Sequence, residues 1–171
     1  MKHPKSELYS ALIPTFESKN AKGFATELAD LALSVEGNED LNIVIQNYEI
    51  LLKVISQNEK IVDSKSNTFE SKMALVKSLL EVAAEEYGIG IVDGNVENKF
   101  EYQDALGFTI VAKNILEEAE PSTSLQLARK DKVIEILNNL SSLWPSLVPT
   151  GKVSGDAKQI LTAIKKISEL E

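Results

Sequence analysis

Residues 80–108, LEVAAEEYGIGIVDGNVENKFEYQDALGF, decide how this chain is read. The first half repeats apolar residues at helical spacing, Gly88, Gly90 and Gly94 interrupt the rhythm, and the second half resumes it. Glycine reaches backbone conformations that end helices, and Asp93-Gly94 is a turn dipeptide. The stretch therefore reads as helix, turn, helix. Two helices joined by so short a connection pack most simply side by side and antiparallel.

Working outward, Phe69, Met73, Val76, Leu80, Ala84, Tyr87 and Ile91 fall on one face of the first helix, which follows a polar turn at 63–68. The second helix is predicted over 98–120, with Phe108, Val111, Ala112, Ile115 and Ala119 on its core stripe and Pro121 as its stop. A further helix carries Ile134, Leu137, Leu140 and Trp144 and ends before Pro145. Ser154 is predicted to cap a final amphipathic helix with Ile160, Leu161, Ile164 and Ile167. Upstream, a short helix over 7–16 is interrupted by Pro14. A second places Phe24, Leu28, Leu31 and Val35 on one face and stops at Gly37. Asn38 is the predicted cap of a third, whose Leu41, Val44, Ile45, Tyr48, Leu51, Leu52 and Ile55 form a wide stripe. No stretch sustains period-two alternation, so strands are not expected. The expected fold is all-α, an antiparallel four-helix-type bundle with additional short terminal helices. It is expected as a single domain over 1–171, with N-terminal helices 1–37, a central bundle 38–150 and a C-terminal helix 154–171.

Size and charge narrow the function. At 171 residues the chain buries enough surface for a core without staples. A net charge of −8 repels phosphate backbones, and Arg129 is the only arginine, so nucleic-acid binding is not expected. The lack of cysteine excludes disulfides and thiolate sites. His3 is the only histidine, which works against a histidine-ligated zinc site or a Ser-His-Asp triad. No apolar run nears the roughly 20 residues that cross a bilayer. MKHPKSEL at the N-terminus lacks the apolar core of a signal peptide. No enzyme is expected.

The candidate chemistry is carboxylate. Glu101 and Asp104 lie within about 40° of Phe108 on a helical wheel of 3.6 residues per turn, on the stripe expected to face the core. Two acids three residues apart supply oxygen ligands to a hard cation such as iron or calcium. Equally, first-turn acids offset the positive end of the helix dipole while staying solvated. Glu81 borders the core stripe of the preceding helix, and an antiparallel pairing brings it near the face of Glu101; Glu85 and Glu86 point further out. The bland reading of all three is a solvated acidic surface. Tyr87 and Tyr102 flank the acids as iron ligands, carboxylate partners or packing residues. Trp144 reads as a core or bundle-end plug. The glycines lack the spacing and preceding strand of a phosphate loop.

The segment SLLEVAAEEYGIGIVDGNVENKFEYQDALGF resembles the extracytoplasmic helical domain that accompanies bacterial high-affinity iron permeases, itself similar to imelysin-like proteins. In that pattern Glu81 takes the first acidic position, Glu86-Tyr87 stands for an aspartate-tyrosine pair, and Asp93-Gly94 is the turn. Glu101-Tyr102 opens the second helix, Asp104 replaces a glutamate and Phe108 matches. LWPSLVP and a short final helix are similar too, so the resemblance runs over about 75–168. Ala105 replaces a methionine and Gly107 a second glutamate, while the pore motif of the permease and the histidine motif of imelysin-like proteins are absent. The resemblance implies a non-enzymatic periplasmic or otherwise extracytoplasmic protein of iron uptake. It would bind or hand over iron through Glu101, Asp104 and Glu81, or dock on a membrane iron permease or another periplasmic uptake component, without itself entering the membrane. The rival readings are a protein-interaction module without metal and, further off, a paired-carboxylate helical hydrolase.

Overall fold

Short polar side chains set where most of the described helices begin. The structure, a computed structural model, describes residues 9–62, 68–149 and 151–170. It falls into two compact units, 1–66 and 67–171, where the sequence reading treats 1–171 as one domain. The N-terminal segment with His3, the start of the first helix and most of the polar turn at 63–68 lie outside the described residues.

The first unit contains α1 (Ser10–Ser18), α2 (Ala25–Glu36) and α3 (Leu41–Val62). Pro14 is accommodated inside α1 rather than ending it. Asn38 adopts a positive φ of 49° past the end of α2, and Asp40, not Asn38, receives the amide of Asn42 at 2.8 Å where α3 starts. Tyr9, Phe16 and Phe24 stack with centroids 5.0 to 5.8 Å apart. The buried Asn58 locks the loop before α2: its Oδ1 accepts from the Gly23 amide at 2.7 Å, and its Nδ2 donates to Gly23 O and Val54 O. A buried amide so fully bonded offsets its desolvation.

The second unit is the four-helix bundle: α4 (Phe69–Gly90), α5 (Lys99–Glu117), α6 (Ser124–Asn139) and α7 (Ala157–Ser168). Thr68 and Ser71 form a capping box on α4, Asn98 caps α5 and Thr123 caps α6. Asp156 with Gln159 boxes α7, so the cap is Asp156 and not the expected Ser154. Each such cap stabilises a helix by about 1 kcal/mol. Helix α4 packs on α5 and α7, α5 on α6, and α6 on α7, closing a ring around Met73, Val76, Leu80, Leu116, Val133, Leu137, Ile160 and Ile167. Among the described residues no helix is long and apolar enough to cross a membrane.

Two further expectations change. The turn at Asp93-Gly94 is a β-hairpin, with β1 (Ile91–Val92) antiparallel to β2 (Asn95–Val96). Both central residues have positive φ, 50° and 78°, and the twist of such turns suits two paired strands. A pair of two-residue strands is too short to announce itself by alternation. The second change concerns α5. Its buried row is Tyr102, Ala105, Thr109, Ala112 and Leu116, whereas Phe108 and Ile115 are half-buried and Val111 is exposed. Small residues let α5 approach α4 closely, so the interior selects the alanine row and turns the bulkier Phe108 toward the flank.

Candidate functional site

At the hairpin end of the bundle the sequence builds an aromatic clasp. Tyr87 comes from the last turns of α4, Tyr102 from the first turn of α5, and Trp144 from the segment after the 3-10 helix Leu140–Leu143. Tyr87 and Trp144 meet edge to face at 5.4 Å and 90°, and Tyr87 and Tyr102 lie 5.9 Å apart. Each polar atom has a backbone partner. Tyr87 donates to Leu143 O at 3.2 Å, Tyr102 to Ser146 O at 3.0 Å, and Trp144 Nε1 to Tyr102 O at 3.0 Å. Gln103 adds a bond to Leu147 O at 3.1 Å. Aromatic pairs of this kind contribute about 0.5–1.5 kcal/mol beyond their buried area.

Two glycines make the clasp possible. A Cβ on Gly90 would stand 2.6 Å from the Tyr102 amide nitrogen, so only glycine lets the end of α4 touch the start of α5. A Cβ on Gly155 would overlap the Tyr87 hydroxyl and Leu143. The Val153 amide donates to Gly94 O at 2.8 Å, tying the approach to α7 onto the hairpin. Burial, then the neighbouring Tyr102 and Asp156, pushes the Tyr87 phenol up to about 12, and burial raises Tyr102 as well. Both phenols stay neutral at ordinary pH and hold backbone rather than a ligand.

The acids lie outside this clasp. On the observed buried face of α5, Glu101 sits roughly 60° from the centre and Asp104 roughly 120°, at 100° per residue. Glu101 is accordingly half-buried and accepts a 3.3 Å bond from Asn98 Nδ2, while Asp104 is exposed. This corrects the expectation that both point inward. Partial loss of hydration against the helix, together with the neighbouring Glu101, still raises the Asp104 carboxyl above its usual range. Glu81 and Glu85 are exposed and Glu86 is half-buried. Among the described residues no three Asp, Glu or His side chains gather where they could hold a metal ion. The donor set suits a hard cation in kind, but it offers a pair of carboxylates rather than a cage.

At the opposite end, the solitary arginine turns out to be structural. Arg129 Nη1 meets both oxygens of Glu70 at 3.0 and 3.1 Å, and its guanidinium covers the Phe69 ring at 5.6 Å. Lys130 donates to Glu117 O and Ala119 O at 2.6 and 2.7 Å, capping the C-terminal end of α5.

Sequence reasoning named Tyr87, Tyr102 and Trp144 but missed Gln103, Val153 and Gly155. The signal for these was weak: a glycine in a loop shows nothing until the ring facing it is known.

Comparison with known proteins gives one family. The sequence model of the iron permease-associated 4-helix bundle domain matches residues 63–170, the range that contains α4 to α7. A leucine–tRNA ligase of Nanoarchaeum equitans is 32% identical over 123 residues, 68% of this chain. The chain spans about 12% of that enzyme's length. No solved structure matches.

Proposed function

Because the chain belongs to the iron permease-associated four-helix-bundle family, we propose that it is a non-enzymatic, extracytoplasmic accessory of iron uptake that docks on a permease. The observation that carries this reading is the coincidence of the matched range 63–170 with the second compact unit, 67–171. A bundle of this kind, with no helix among its described residues fit to enter a bilayer, suits a protein that meets a membrane partner from outside. The chemistry argues in the same direction. The buried phenols are spent on Leu143 O and Ser146 O, and Thr109 Oγ1 on Ala105 O at 2.9 Å, which leaves these groups engaged in structure rather than poised for reaction. The test is to co-express the chain with the iron permease of its own genome and cross-link in intact cells. Recovery of the permease with the chain supports docking; its absence under conditions where the permease is assembled overturns it.

A second reading rests on Glu101 and Asp104. The two acids stand three residues apart on α5, and burial, then the neighbouring Glu101, raises the Asp104 carboxyl; such a pair attracts a cation, and without a third ligand it gives up its ion readily, as handover needs. Glu81 stands exposed on α4 and would join only as an outer partner. Titration with ferric and ferrous iron, read by calorimetry, should show weak binding that Glu101→Ala with Asp104→Ala abolishes. Identical heats from both proteins would remove this site.

A further inference from the structure

Helix α3 keeps more of its apolar side chains in water than it buries. Of its 22 residues only Leu51 and Asn58 are buried, on the line that meets α2 and the loop before it. Leu41, Ile45, Tyr48 and Leu52 are 70%, 45%, 50% and 46% exposed, and Ile55 is half-buried. Their spacing of four, three, four and three residues is that of a coiled-coil seam. At 100° per residue the five fall within about 80° of arc, on one flank of the line through Leu51 and Asn58. Successive members are therefore neighbours, with Cβ atoms about 5–6 Å apart, and the row is continuous along the helix. The other flank reads Ile43, Asn47, Ile50, Val54, Gln57 and Ile61, where two amides break the row.

Area and charge name the occupant. Apolar side chains of this size and exposure leave on the order of 100 Å² each in water, so the row presents on the order of 400 Å². That is about half of the roughly 800 Å² that each partner of a standard interface covers, and such interfaces are only a little more than half apolar. The row with its polar margin therefore matches one side of a stable dimer. Glu49 and Lys53, of opposite sign and both exposed, stand one turn apart on the solvent side of the row. An antiparallel pairing that sets Tyr48 of one copy against Leu52 of the other also sets Ile45 against Ile55. The same pairing brings Glu49 of each copy within reach of Lys53 of the other, and a twofold axis makes both ion pairs at once. The face is thus complementary to itself in apolar period and in charge.

We propose that Leu41, Ile45, Tyr48, Leu52 and Ile55 of α3 form the seam of an antiparallel homodimer, with Glu49 of each copy paired to Lys53 of the other. Tyr48 and Leu52 of both copies meet around the twofold axis, and Leu41 closes each end. The seam lies outside 63–170, the range that carries the family match, so it adds an assembly state to the docking reading and does not depend on it.

The test is sedimentation equilibrium of the full chain at micromolar concentration, where the wild type should show twice the mass of one chain. Ile45→Glu with Leu52→Glu should leave a monomer whose circular dichroism remains that of the wild type. Charge exchange keeps every apolar contact and so guards against a variant that fails to fold. Glu49→Lys alone and Lys53→Glu alone should each weaken association about tenfold, because each sets like charges together at both ion-pair positions. Mixed in equal amounts, the two single variants should associate as tightly as the wild type, since each then meets the opposite sign across the seam. Every copy in that mixture still carries like charges at 49 and 53, so the recovery reads only the contact between copies. A monomeric wild type, a dimer that survives Ile45→Glu with Leu52→Glu, or a mixture no tighter than its components overturns the proposal. So does a monomer that binds phosphatidylcholine vesicles through Ile45 and Leu52. Cross-linking to the permease is read in a separate experiment, so a chain that dimerises without recovering permease sinks docking alone, and one that recovers permease as a monomer sinks this seam alone.

Discussion

The aromatic clasp and the acidic edge of α5 share a few residues of sequence and meet opposite fates. Tyr102 is wholly buried and donates to Ser146 O, while its neighbour Glu101 is half-buried and Asp104 is exposed. One turn of helix therefore holds both the part that builds the fold and the part that faces outward. The lesson is that a short motif mixes the two kinds of residue. Only the direction of each side chain separates them.

That contrast can be attacked first at Trp144. Trp144→Ala removes a ring packed on two tyrosines and a bond to Tyr102 O, and should destabilise the second unit by about 3–5 kcal/mol. Chemical denaturation checks this, and a loss under about 1 kcal/mol would mean that the clasp is loosely packed. The next effect is alkaline. Tyr87 ionises near 10 when unfolded and at about 12 when folded. Its contribution is complete below pH 10 and is lost as pH climbs through the folded value, a loss of up to about 3 kcal/mol. Denaturation curves between pH 9 and 12 on the order of half a unit apart should show this slope, and Tyr87→Phe should remove the Tyr87 share of it, leaving the part that the raised Tyr102 phenol contributes.

The smallest effect belongs to the acids. Glu101→Gln with Asp104→Asn should alter stability by no more than about 0.5 kcal/mol at neutral pH. The sign also follows. The Asp104 carboxyl is raised in the folded protein, so its charged form costs stability, and lowering pH through the carboxylate range should stabilise slightly at this residue. The double variant should lose that gain. A large destabilisation would place these acids among the structural residues and erase the contrast.

Much of the fold was legible because it is written in period and punctuation. The stripe from Phe69 to Ile91 is buried as read, Trp144 is a bundle-end plug, and the bundle is all-α. The rotation of α5 was not legible. Hydrophobicity alone favours Phe108 over Ala105, yet close helix approach favours the small side chain, and that depends on a neighbour the pattern does not name. The acids were misdirected by the same error, since their expected direction was measured from Phe108. The hairpin escaped because its strands are two residues each. Gly155 escaped because its role is to leave room for Tyr87, a residue 68 positions away in the chain.

Trp144 is the sole tryptophan, and its fluorescence tests the central claim directly. A ring 8% exposed, edge-on to Tyr87 and bonded to Tyr102 O should emit well to the blue of indole in water and resist quenching by acrylamide. It should do so equally with Glu101→Gln and Asp104→Asn in place. Water-like emission with ready quenching in the native protein would contradict the clasp.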